Sequence, residues 1–312
     1  MLTKNQKYII IIILGLVMII FFNKSNISRD LPQSIGDPLE LLIVYEEQDF
    51  GHRFIKILKS FLHVNIGPSP QPESLLSLIE IDNNNFKGIF KRHQNLLIIS
   101  KADTFSIKIK RDLFAADQFA IFVNCPSTKV LQDRQTDIAR VAQIIKQIET
   151  GRLSTKFRAY SNTGIAEKIK AINGVSLTFP KDFFLAHTDS NIVWARRETE
   201  KISQGIFISN LQKPIAKKNL QLGILELIDS IIKPHISGPK DYSYMTIEKL
   251  APVKQDSVKI NNHIGLKVQS LWRMENDFMG GIFNAYYFEE ESRQGPIIIY
   301  TYLYAPGEKK NI

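Results

Sequence analysis

The sequence predicts an α+β fold built as two successive halves, each a mainly antiparallel sheet packed with helices. Short alternating or continuously apolar segments are grouped in blocks, and helical stretches interrupt these blocks without the regular alternation that a parallel sheet requires. The rhythm of strands around a helix occurs twice, with no residue-level repeat. Composition agrees, since 312 residues with 44% hydrophobic and 23% charged side chains can bury the cores of two domains.

The chain opens on an apolar run, residues 8–22 (YIIIIILGLVMIIFF), which carries no charge and follows Lys4 and Lys7. That is the arrangement of an export signal or membrane anchor. As a helix the run reaches about 22 Å against about 30 Å of hydrocarbon, so flanking residues must complete the span. No small-x-small cleavage site follows, and no cysteine stands behind the run to accept a lipid. An uncleaved anchor with the body exported to the periplasmic side of the cell envelope is expected. Polar, proline-broken residues 25–37 complete a region of anchor and tether, 1–37.

The first folded half, 38–172, begins with a strand at 39–46 (LELLIVYE), then a helix at 50–62 with apolar residues at helical spacing, and a proline-rich loop at 67–72. LLSLIEI reads as a strand, NNNFKGIFKRH as a capped short helix, and NLLIISKA, FSIKIKRDLFA and QFAIFVN as further strands. A long helix follows Pro126 and is expected to stop at Gly151, with a second helix running to about Ala171. The second half, 173–312, returns to a period of two at GVSLTFPKDFFLAH. NIVWARRETE and QGIFISNLQ then read as strands, followed by an amphipathic helix in NLQLGILELIDSIIKPHI. The remaining strands are YSYMTIEKL, HIGLKVQSLWRM, GGIFNAYYFEE and PIIIYTYLYAP.

The net charge of +9 is concentrated at residues 101–170, which hold 13 Lys and Arg against 7 Asp and Glu. Without interleaved aromatics or a recognition motif this is a solvated helical surface, so no nucleic-acid partner is expected. The lone Cys125 excludes an internal disulfide and reads as a buried structural thiol. Among His52, His63, His93, His187, His235 and His263 no two are three or four apart, and neither a zincin motif nor a cysteine-rich zinc set occurs, so no metal is assigned. His93 reads as structural or surface. Glycine-rich nucleotide loops are absent, and with them any reason to expect a cofactor; no G-x-S-x-G elbow occurs either. The carboxylate clusters Glu46, Glu47, Asp49 and Glu289, Glu290, Glu291 read as charges solvating turns at strand ends. No catalytic residue is assigned.

The segments NNNFKGIFKRHQNLLII, NIVWARRE, ISGPKDYSYMTIE, GLKVQSLWRMENDFMGGIFNAYYF and YTYLYAPGEKKN together resemble the family known as domain of unknown function 4837, from envelope proteins of Bacteroidota. The resemblance spans nearly everything after the tether. It implies export to the envelope and brings no activity. Members carry a lipoprotein signal, whereas this chain has no cysteine before Cys125. The order of elements in the second half also resembles the PsbP/Mog1/DcrB-like fold, a likeness of shape that implies no function.

Two features of the second half are candidate ligand contacts. In LKVQSLWRM a period of two puts Leu266, Val268, Ser270, Trp272 and Met274 on one face, with Lys267, Gln269, Leu271 and Arg273 on the other. One reading is a hairpin with a glycine bulge at Gly280 and Gly281 over a core tryptophan; the other makes these glycines the floor of a groove flanked by Arg273 and Met279. Tyr300, Tyr302 and Tyr304 share one face of the last strand, opposite Ile299, Thr301 and Leu303. Such a row is either a half-buried sheet face or the lining of a cleft for glycans or peptides. The expected function is that of a membrane-tethered envelope protein with a non-enzymatic binding or assembly role, its partner an envelope protein or a glycan or peptide. The alternative is a hydrolase of envelope material with a dispersed active site, recognisable by a histidine in contact with a hydroxyl or carboxylate.

Overall fold

The computed structural model describes residues 31–46, 48, 50–216, 220–289 and 295–307. The proposed anchor at 8–22, the start of the tether, and Glu47, Asp49, Glu290 and Glu291 lie outside the described residues. The α+β class holds. The described residues form two compact units: one comprises residues up to His52 together with Leu78–Val130, the other Arg53–Ser77 and the chain from Leu131 onward. The border expected at 172/173 falls inside the second of these.

The first unit is a five-stranded sheet. Its strands are β1 (Glu40–Tyr45), β2 (Ser77–Asp82), β3 (Asn95–Lys101), β4 (Ser106–Arg111) and β5 (Phe119–Cys125), in the order β2-β1-β3-β5-β4. β1, β3 and β5 run parallel and β4 returns antiparallel, so this sheet is mixed. The pairing follows from side chains buried on both faces: Leu41, Leu42, Ile43 and Val44 are all at most 1% exposed, the continuous apolar pattern of a parallel strand. NNNFKGIFKRH forms two 3₁₀ turns, Asn83–Asn85 and Gly88–Arg92. The Asp82 carboxylate caps the first by accepting from the Asn84 amide at 2.8 Å, and Gly88 at φ +56° opens the second. His93, which ends the second, is buried: Nε2 meets the Glu40 carboxylate and Nδ1 lies 3.1 Å from the Asn95 carbonyl.

Helix α1 (His52–Leu62) buries Phe54, Ile55, Leu58 and Leu62, the stripe its periodicity promised. Helices α2 (Thr128–Asp133), α3 (Gln135–Ala159) and α4 (Thr163–Asn173) follow β5. Gly151 does not end α3. It faces open space, and a mid-helix glycine costs only about 1 kcal/mol, so the helix runs two further turns to Ala159. α4 is punctuated at both ends: the Asn162 side chain accepts from the Ile165 amide at 3.2 Å, and Gly174 closes the helix at φ +67°, three residues beyond the expected end near Ala171.

The second sheet comprises β6 (Phe184–Thr188), β7 (Ile192–Glu198), β8 (Ser203–Asn210), β9 (Tyr244–Ile247), β10 (Lys254–Ile260), β11 (His263–Glu275), β12 (Gly280–Phe288) and β13 (Ile297–Tyr304). Its order is β10-β11-β12-β13-β8-β7-β6, with β9 also pairing β11, and every pair in it is antiparallel. β10 is an edge strand with almost every residue exposed, so it has no hydrophobic period and sequence reading passes over it. The period of two before β6 is real but has no ladder behind it. Val175, Leu177 and Phe179 pack inward along an extended stretch whose one bridge joins Pro180 to Ser161.

Each face of this sheet has its own core. Helix α5 (Leu220–Ile232) lays Ile224, Ile228 and Ile232 on Phe207, Val268, Trp272, Phe283 and Tyr300. On the opposite face α4 lays Ile165 and Ile169 on Val193, Ala195, Ile208, Phe288 and Ile297.

Candidate functional site

Consecutive residues of a strand point to opposite faces, so the register places each candidate residue on one side or the other. On the α5 face, Phe283, Tyr302 and Gly205 form one rung across β12, β13 and β8, and Ala285, Tyr300 and Phe207 form the next. Tyr302 fits because Gly205 has no side chain: a Cβ there would stand 2.0 Å from the tyrosine ring. Tyr300 is 1% exposed and Tyr302 6%, and Tyr300 Oη lies 3.5 Å from the Met245 sulfur. Burial pushes the Tyr302 hydroxyl up to about 12 and holds Tyr300 well above the ordinary range, so both stay protonated at neutral pH. The rings of Tyr300 and Tyr302 are therefore core, with Tyr304 packed half-buried against it, and Tyr302 also borders the cavity described below.

Trp272 is buried in the same core, its ring 5.9 Å from Tyr302 in an edge-on contact. Its indole donates to the Leu303 carbonyl at 3.3 Å, passing over Gly281. The ladder continues unbroken through Trp272–Gly281 and Arg273–Gly280, so the glycines form no bulge. Gly281 is glycine because the indole and the Leu303 carbonyl fill the place of its side chain. Arg273 is held by Glu275 at 2.5 Å and Glu248 at 3.4 Å, and Met279 packs half-buried against the α5-face core. The structure thus gathers Trp272, Tyr300, Tyr302 and Met279 into one packed cluster and turns Arg273 to the other face.

That other face is where the sheet is left open. Ile282, Leu303, Gln204 and Arg197 form one rung across β12, β13, β8 and β7, and Asn284, Thr301 and Ile206 form the neighbouring one. These rungs floor a cavity of 640 Å³ walled by the last turns of α3 and by residues 178–183. The volume lies within the roughly 300–1,000 Å³ usual for small-molecule sites. Leu153 and Phe157 of α3 and Phe183 supply apolar walls, while Lys156, Lys181, Asp182 and Arg197 stand around them. Arg197 is oriented by the Asp182 carboxylate at its Nε and by Gln204 Oε1, 3.1 Å from its Nη1. In the floor, Thr301 donates to the Asn284 carbonyl at 3.2 Å, and Asn284 Oδ1 accepts from Gln269 at 2.6 Å. Sequence reading placed Thr301 and Leu303 opposite the tyrosines but gave them no role. A helix end reaching over a sheet leaves no mark in local periodicity.

Among the described residues, one set of metal-capable side chains converges in this unit, His187, Asp189 and His235. It stands apart from the cavity, whose lining includes none of the three.

Comparison with known proteins divides the chain at the wall of the cavity. Residues 34–158 match Domain of unknown function (DUF8532), and residues 162–311 match Domain of unknown function (DUF4837). The DUF4837 match is thus narrower than the span of the segments that suggested it: it contributes the sheet floor, and the α3 wall lies in the DUF8532 stretch. No curated protein matches the chain. The second half of the chain, with the whole eight-stranded sheet, belongs to the DUF4837 family.

Proposed function

We propose that this chain is a membrane-tethered protein of the cell envelope, held by residues 8–22 with its folded body exported, and that its second unit is a binding module for an amphiphilic anion. The observation that carries the binding reading is the layout of the cavity. Ile282, Leu303 and Ile206 in the floor and Leu153, Phe157 and Phe183 in the walls offer apolar surface to an acyl-like tail, and among the charged side chains of the lining Lys156, Lys181 and Arg197 outnumber Asp182, which favours an anionic head. A glycan is the weaker fit, because the tyrosine rings that would stack on it face the core. The tether reading rests on the charge-free run behind Lys4 and Lys7. Among the described residues no helix is long and apolar enough to cross a membrane, so the run is the segment on which anchoring depends.

The test is titration of the purified full chain with a fluorescent dodecanoate probe. Saturable one-to-one binding is expected, weakened at least ~10-fold by Leu303→Glu, equivalent to about 1.4 kcal/mol, and weakened by added salt. Binding that does not saturate, or that Leu303→Glu leaves intact, overturns the reading. For the tether, the chain should stay with alkali-washed membranes and be cut by protease added to spheroplasts; recovery from the cytosol refutes it.

A further inference from the structure

The second feature of the unit lies on the α5 face, at the edge of the sheet. β6 pairs with β7 so that Phe184 stands opposite Arg196 and Leu185 opposite Ala195; the register then slips by one, and His187 stands opposite Trp194 and Thr188 opposite Val193. Ala186 is the extra residue of this bulge. In a regular ladder Ala186 would pair with Trp194 and His187 with Val193, pointing His187 to the α4 face, because a one-residue slip exchanges the faces of a strand. With the bulge, His187 shares the α5 face with Trp194, where His235 stands at the end of α5 with its ring against Phe207.

Three local arrangements then aim ligand atoms at one point. Asp189 Oδ1 accepts from the amides of Asn191 at 2.8 Å and Ile192 at 2.9 Å, which fixes the carboxylate in the β6–β7 turn. His235 Nδ1 lies 2.8 Å from the Ile231 carbonyl. A carbonyl only accepts, so Nδ1 is the donor here, and in the neutral ring Nε2 is the nitrogen with the lone pair, the orientation typical of metal-bound histidines. His187 Nε2, closed off from solvent, lies 3.5 Å from Asp189 Oδ2, too far for a good hydrogen bond, and its ring centroid is 5.0 Å from that of His235.

We propose that His187, Asp189 and His235 form a binding site for a first-row divalent cation of the zinc class, joining the edge strand β6 to the end of α5. One ligand atom from each residue lies within 4.8 Å of the others. Ligands around a tetrahedral zinc sit roughly 3.3 Å apart, given bonds of about 2.0–2.1 Å, so the ion needs side-chain shifts of only ~1 Å or so. Two imidazoles and one carboxylate favour zinc and its neighbours over magnesium or calcium, which prefer all-oxygen ligands. Three protein ligands leave at least one position for water or a further ligand. His187 and His235 are 48 positions apart in the chain, so no sequence spacing announces the site.

The test is titration of the metal-stripped full chain with Zn²⁺, and with Co²⁺ as a spectroscopic probe. One Zn²⁺ per chain is expected, with visible Co²⁺ absorption of nitrogen–oxygen type. At a free Zn²⁺ concentration ~100 times Kd the thermal midpoint should rise by about 5–10 °C. His187→Gln and His235→Gln should each lower Zn²⁺ affinity by more than the ~10–100-fold that an outer-shell change costs. Asp189→Asn keeps the turn's acceptor and should weaken binding, whereas His63→Gln, off the cluster, should not. If His235→Gln disturbs packing on Phe207, His187→Gln on the sheet edge decides, its circular dichroism spectrum matched to wild type. Failure to retain Zn²⁺ at micromolar concentration, or equal affinity in wild type and His187→Gln, overturns the proposal.

Discussion

Replacing Gly281 by alanine would put a methyl carbon 2.1 Å from the Leu303 carbonyl oxygen and 2.9 Å from the Trp272 indole nitrogen. The carbonyl belongs to the central strand β13 and cannot swing aside, and the indole that donates to it is 2% exposed with no room to retreat. Overpacking a core of this kind costs about 1–3 kcal/mol. Loss of the Trp272–Leu303 hydrogen bond adds about 0.5–1.5 kcal/mol, for a total of about 2–4 kcal/mol. For a unit of this size each kcal/mol moves the thermal midpoint by about 2–4 °C, so Gly281→Ala should lower it by about 5–15 °C. Its neighbour is the control. A Cβ at Gly280 meets the Trp272 carbonyl at 3.0 Å, a contact that a few tenths of an ångström relieve. Alanine there also narrows the unfolded ensemble, so Gly280→Ala should stay within about 1 kcal/mol of wild type. Thermal and urea denaturation of the two variants side by side check this. An unchanged midpoint in Gly281→Ala, or a larger loss in Gly280→Ala, refutes the claim that the indole crossing selects glycine here.

Burial pushes the Lys267 ammonium down to about 8, with Lys146 and Lys254 adding to the effect and Asp256 opposing it. Below that value the folded chain carries the full penalty of a buried charge. From about 8 up to the ordinary lysine value near 10.4 the unfolded chain binds more protons, so stability rises with pH across this window. Lys267→Met should therefore stabilise at pH 7 by roughly 1–3 kcal/mol, discounted for partial exposure, and the gain should shrink by pH 10; an equal gain at both pH values in urea denaturation would contradict it. Cys125 is fully buried, its sulfur 3.4 Å from the Ser127 carbonyl, and burial raises its thiol above the usual range. It should resist dithionitrobenzoate in the native chain and react with one equivalent after denaturation, and fast native labelling would disprove its burial.

Residues whose conformation is decided by near neighbours were legible in the sequence. The stripe of α1 and the alternation through Trp272 are interactions among positions a few residues apart, and each appears where local pattern places it. Gly151 does not stop α3 because a glycine stop signal outweighs a helix only when nothing beyond it is held, and here Leu153 and Phe157 lie beyond it and wall the cavity. The two 3₁₀ turns, the mixed first sheet and the polar edge strand β10 went unread for a related cause, since which strands become neighbours, and on how many faces they are covered, is settled by partners far away in the chain.

Local amino-acid pattern suffices for the α+β class, nearly all the elements, the burial of Cys125 and the partition of Trp272 and Tyr302 to one face of their strands. Long-range packing selects which face is closed by α5 and which is left open beneath the end of α3, so that the Tyr300 and Tyr302 rings are core while Thr301 and Leu303 floor a cavity. It also decides, through a single extra residue at Ala186, that His187 meets Asp189 and His235. Periodicity records that a strand has two sides, whereas the identity of what covers each side depends on packing between residues tens of positions apart, which no local pattern encodes.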